Sequence, residues 1–160
     1  MTKVFRQGAV GAMMDEYERA ARELAALLGG MEAATFDRMR DRETTDPNCH
    51  SIRTVAKHVV RAGYGYANYC REAFGIAVES PEVEVADAAD AARQIDDFLR
   101  YTEATLEGRW LMPEDAIMAV RMDSRWGQVY DLEQMLEHAI VHILRHRRQI
   151  ERFLTDPRFA

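Results

Sequence analysis

A chain of 160 residues can bury one hydrophobic core and is read as a single domain over 1–160, and its formal net charge of −6 denies it the basic footprint of a general nucleic-acid binder. No apolar run approaches the ~18 residues of a transmembrane helix, and the opening MTKVFRQGAVGAMM lacks an apolar signal core and a cleavage site, so neither a membrane span nor a secretory signal is expected. Cys49 and Cys70 form no metal-binding or disulfide pattern, and a reduced cytoplasmic setting is the simplest expectation.

Residues 1–8 read as a polar lead-in. Over Ala9–Leu28, Met13, Tyr17, Ala20, Leu24 and Leu27 recur at three- and four-residue steps, and Gly29-Gly30 stops the helix they predict. The connection Met31–His50 is charged and turn-rich around Asp46-Pro47-Asn48, with room for a short helical piece near Met31–Met39. Ser51 is a natural N-cap for a second helix that runs to Phe74-Gly75, with Val55, Val59, Ala62, Tyr66, Tyr69 and Ala73 inward. Gly63 and Gly65 weaken it locally and would permit a close approach by a helix or a ligand.

Ile76–Glu84 reads as a loop. A third helix is expected over Ala86–Trp110, burying Ala88, Ala91, Ile95, Phe98, Thr102 and Leu106, with Asp87 and Asp90 in the first turn, where the helix dipole favours them. In Leu111–Gln128, Met118, Val120 and Met122 alternate with other residues. That pattern predicts a short strand or hairpin turning at Asp123-Ser124. Tyr130–Leu154 has no Gly or Pro and carries Leu132, Met135, Leu136, Ala139, Ile143, Ile150 and Leu154 at helical spacing. The sum is an all-α chain: an up-and-down four-helix bundle with a short hairpin before the last helix.

That last helix bears His138, His142 and His146, each four residues from the next and so on one helical stripe. With Ala139 at the centre of the apolar face and a turn of about 100° per residue, His146 falls about 20° away, His142 about 60° and His138 about 100°. His142 and His146 therefore face inward, His138 sits at the rim, and Glu137, Val141 and Arg148 point away. His58 on the second helix lies about 60° from the centre of its own apolar stripe. A lone histidine on such a face is ordinarily a hydrogen-bonded core residue, but an inward pair with a third from a facing helix can hold a metal. Three imidazoles leave a coordination position open, which suits Zn(II), Ni(II), Co(II) or Fe(II).

The spacing does not read HExxH, so a zincin-type base is absent and Glu133 and Glu137 merely flank the stripe. Gln149, one turn past His146, either orients a ligand or packs against the first helix. Tyr64, Tyr66, Tyr69 and Trp126 are candidates for a pocket wall, although aromatics at helical spacing are more often core. The run Arg145, Arg147, Arg148 and Arg152 ordinarily reads as a solvated helix end. His50 is expected to be exposed. Neither cysteine has an adjacent activating base, and no Gly-rich phosphate loop or Ser-His-Asp pattern is present.

Three features act together: His58 within SIRTVAKHVVRAG, the lead-in WGQVYDLEQMLEHAIVH, and the closing HILRHRRQI. In this combination, and in element order over nearly the whole chain, the sequence resembles the DinB/YfiT-like family of bacterial metal-binding four-helix bundles, whose closing motif reads H-x-x-x-H-R-G-Q. The resemblance implies a divalent metal on His58, His142 and His146 with open positions at one end of the bundle. It implies the activity of a thiol S-transferase or isomerase using a low-molecular-weight thiol, with a small-molecule substrate and often a homodimer. A link to DNA damage is carried by the family name alone. Tyr69, Gln149 and His138 are then residues of the pocket or of the ligands' surroundings. The chain departs from the motif at Arg148, which stands where the family has glycine. The alternative is a non-catalytic metal-binding or ligand-sensing bundle. A closed fourth protein ligand, such as His138 or Glu137, or a solidly packed interior would mark it; an adjoining cleft would mark the enzyme.

Overall fold

The computed structural model describes residues 4–159; of the lead-in, residues 1–3 lie outside that range. The described chain is mostly helical. Four long helices carry it: α1 (Gly8–Leu28), α3 (Ile52–Ala73), α4 (Ala88–Leu106) and α6 (Leu132–Thr155), with short α2 (Ala33–Asp37) and α5 (Glu114–Ala119) between them. Two two-residue strands, β1 (Met122–Asp123) and β2 (Val129–Tyr130), pair antiparallel with Met122 opposite Tyr130. Among the long helices, α1 packs on α4 and α6, and α3 packs on the same two. One hydrophobic cluster fills the space they enclose, built around Tyr17, Leu24, Val59, Ile95, Phe98, Met135 and Ile143.

The helix starts follow from capping. The Ser51 side chain accepts from Thr54 N, and Thr54 Oγ1 accepts from Ser51 N, which closes a capping box at α3. Asp131 and Gln134 do the same for α6. Asp87 caps α4 by accepting from Asp90 N, so that helix starts at Ala88 rather than at Ala86. It stops at Leu106 rather than Trp110, because Gly108 takes a positive φ of 76° and turns the chain.

Two other expectations are corrected. Met118 belongs to α5, not to a strand, because Pro113 opens a helical turn with Glu114 and Asp115 in its first residues. The hairpin turn is Ser124–Gln128 rather than Asp123-Ser124: Ser124 Oγ–H donates to Gln128 O (2.7 Å) and Gln128 N donates back to Ser124 Oγ (3.0 Å). The apolar stripes fray at their C-terminal ends, leaving Ala73 exposed and Leu154 40% exposed.

The two helix glycines divide their work. A Cβ on Gly63 would lie 2.6 Å from the Phe98 ring, so Gly63 lets α4 approach α3. Gly65 has nothing within 4 Å of its would-be Cβ and borders a cleft.

Candidate metal centre

Helix α6 delivers His142 and His146 from successive turns of its buried face, at 6% and 4% exposure. Helix α3, packed against it, delivers His58 from the opposite side. The three rings meet with centroids 4.4–4.9 Å apart, and one ring nitrogen from each lies within 4.8 Å of the others. His58 Nε2 and His142 Nε2 are 2.9 Å apart. Nitrogens that share a tetrahedral ion at ~2.0–2.1 Å stand about 3.3 Å apart, so the His58–His142 pair is close to that spacing.

Protonation in this cluster is constrained. His146 Nδ1–H donates to Gln149 Oε1 (2.9 Å), which leaves Nε2 as the lone-pair nitrogen. That Nε2 is buried without a partner, as is His58 Nδ1. Native structures rarely leave such atoms unpaired, because each forfeits its hydration. Burial, followed by repulsion from the neighbouring imidazoles and from Arg145, pushes His142 down to about 2. Burial and His146 push His58 down to about 4, and burial lowers His146 as well. The group is thus neutral at physiological pH, the state that ligates metal. The residues fit a divalent ion: neutral nitrogen donors, an orphaned inward lone pair, and one ring set by a hydrogen bond to a neighbour.

Two clefts flank the histidines. The first, about 450 Å³, is bordered by His58 and His142 and walled by Tyr66, Tyr69, Trp126 and His138. The β1–β2 hairpin hangs Trp126 over α6, where it stacks on His138 at 5.3 Å and 20°. Tyr69 Oη accepts from Arg125 N (2.9 Å) and so ties that hairpin to α3. Tyr66 meets His138 and His142 edge-on at 5.3 and 5.4 Å. The second cleft, about 780 Å³, is bordered by His58 and His146 and edged by Cys49, Gln149, Arg145 and Arg148. Burial raises the pKa of the Cys49 thiol and pushes Cys70 up to about 12, so neither cysteine is an activated thiolate.

The structure therefore brings His58, His142 and His146 together and sets His138 beside them in the aromatic wall, outside the three-nitrogen group. Gln149 orients His146, and Tyr69 borders the aromatic cleft. Tyr64 is not in that wall; it packs on Tyr101 at 5.3 Å. Arg148 does not simply point away, since it edges the second cleft. His50 is half-buried, not exposed: its Nδ1–H donates to Asp41 O (2.9 Å). Glu133 and Glu137 are exposed and take no part in the group. Sequence reasoning gave Arg145 no place at the histidines, yet it borders both clefts. The helical wheel carried a signal, because Arg145 lies about 20° from His138 on α6. Arg125 reaches the cleft through the hairpin and had no local signal.

Compared with known proteins, the chain matches no family model, no curated protein and no solved structure.

Proposed function

We propose that this protein is a divalent-metal-dependent enzyme acting on a small molecule, of the thiol S-transferase kind, with an up-and-down bundle of the DinB/YfiT type. The observation that carries the reading is the convergence of three neutral imidazoles, two buried and one half-buried, from two helices beside an open cleft. His58, His142 and His146 would hold the ion. When bound, Zn(II), Ni(II), Co(II) or Fe(II) supplies a Lewis acid that lowers the pKa of a thiol or water brought to it. Gln149 fixes the His146 tautomer so that Nε2 is presented inward. Tyr66, Tyr69 and Trp126 exclude bulk water from one side and offer aromatic surface to a substrate body.

An external thiol fits the chemistry better than either cysteine, since burial keeps both in the thiol form. The adjoining cleft, and the engagement of His138 with Trp126 and Tyr130, favour an open site over a closed structural one. Activity on a small molecule, without nucleic acid or membrane contact, and assembly as a homodimer belong to the same reading.

The test is elemental analysis of untagged protein beside His142→Ala. Near-stoichiometric metal in the parent and none in the variant is the expected result. No metal in either, even after incubation with Zn, Ni, Co and Fe, would overturn the reading.

A further inference from the structure

Many arginines of this chain are paired with acids. Arg6, Arg19, Arg22, Arg53, Arg93 and Arg100 pair with carboxylates, as do Arg147 and Arg158. Among the described residues, the arginines around the histidines do not. Arg145 has no hydrogen bond or carboxylate partner, nor does the side chain of Arg125, and Arg61 reaches only the Asn48 amide oxygen at 3.2 Å. In the aromatic cleft these three guanidiniums face a single carboxylate, Glu72. An acidic protein of net charge −6 thus keeps a positive recess at its histidines. Low-dielectric walls focus such a potential onto whatever enters.

We infer that the aromatic cleft is a binding site for a small organic anion, with Arg145 as the clamp for a carboxylate or similar planar oxyanion and the Tyr66–Trp126 walls holding an apolar or aromatic body. Arg145 is placed for this because it borders both clefts and both faces of the histidine group. Its planar fork matches a carboxylate through two parallel N–H···O bonds. Arg125 and Arg61, on the hairpin and on α3, add to the field. The other end of the ligand would then lie at His58 and His142, so the anion sets which group is presented there. This deepens the reading of the cleft as a substrate site but does not depend on the metal. Its test is run without metal, so the two can fail separately.

Metal-stripped protein carrying Trp110→Phe has Trp126 as its sole tryptophan. Titration with benzoate and with its neutral isostere benzamide, read by Trp126 fluorescence, is the experiment. Benzoate is expected to bind at least tenfold tighter than benzamide and to weaken as salt is raised. Arg145→Gln should erase that preference while leaving benzamide unchanged, and Arg145→Lys should restore part of it. Equal binding of the two probes, binding of neither, or a preference that survives Arg145→Gln would overturn the inference. The Arg145 side chain is exposed, so its loss leaves the core intact, which an unchanged melting temperature checks. If benzoate is preferred and no metal ever binds, the anion site stands and the metalloenzyme does not.

Discussion

The N-terminal strap, residues 4–7 ahead of α1, and the histidine clefts use the same kinds of side chain in opposite ways. At the strap, Arg6 donates to Asp15, Glu18 and Glu103 at 2.5–2.8 Å, and its backbone N–H also donates to Asp15. Asp15 is only 3% exposed, yet its acceptors are met. At the clefts, guanidiniums lack carboxylates, and two imidazole nitrogens lack partners. A satisfied network holds the chain together, whereas an unsatisfied one costs stability and leaves capacity for something else to bind. On the proposed function, the working part of the molecule is where polar groups are left wanting, not where they are most numerous.

The two regions should break differently. The largest effect is expected from His142→Ala, which should abolish metal binding as read by elemental analysis. Asp15→Ala should leave metal content unchanged and lower unfolding free energy by about 1–3 kcal/mol in denaturant titrations, because it strands the Arg6 N–H and removes one carboxylate of three. Removing metal with a chelator should lower the melting temperature of the parent; an ion present at 100 times its Kd contributes about 2.7 kcal/mol. The chelator should have no effect on His142→Ala.

Acid sharpens the contrast. His58 and His142 have folded pKa values depressed from 6.5 to about 4 and about 2. Above 6.5 the imidazoles are neutral in both states. As pH falls below 6.5 the unfolded chain takes up protons that the fold refuses, so stability declines from 6.5 down through about 4 for His58 and on through about 2 for His142. Metal-free protein should show this slope in denaturant titrations across that window. His58→Gln combined with His142→Gln should flatten it, whereas Asp15→Ala should keep it.

The smallest expected effect lies within the paired glycines of α3, at Gly65. Gly63→Ala should cost about 1–3 kcal/mol by forcing the Phe98 ring aside. Gly65→Ala, in open space, should stabilise the helix by about 0.5–1 kcal/mol while narrowing the aromatic cleft. Thermal melts of the two variants separate packing from ligand room.

Much of this was legible one helix at a time. Four-residue spacing on α6 put His142 and His146 inward, and the α3 stripe did the same for His58, because periodicity records which face a helix buries. It does not record what arrives from elsewhere. Trp126 and Arg125 reach the cleft only because the Ser124–Gln128 turn folds back over α6, and short-range alternation around Met118 mistook a helical turn for a strand. Tyr64 and Tyr66 are two residues apart, yet only tertiary packing assigns one to Tyr101 and the other to the histidines. Charge pairing was also invisible: Arg145 and Arg147 belong to one basic run, and only the folded chain gives Arg147 its partner Glu23 and leaves Arg145 without one.

The hairpin that carries Trp126 has an energetic consequence of its own. Its ladder is two residues long, residues 125–129 are exposed, and one hydrogen bond, Arg125 N–H to Tyr69 Oη, joins its turn to α3 beside the ring contacts of Trp126. So small a unit opens at far lower free energy than the long helices on which it rests. The Trp126 side of the cleft is therefore its least cooperative wall. Amide hydrogens of residues 122–130 should exchange well ahead of those in α3 and α6, and molecules too broad for the closed mouth would enter at the pace of that breathing.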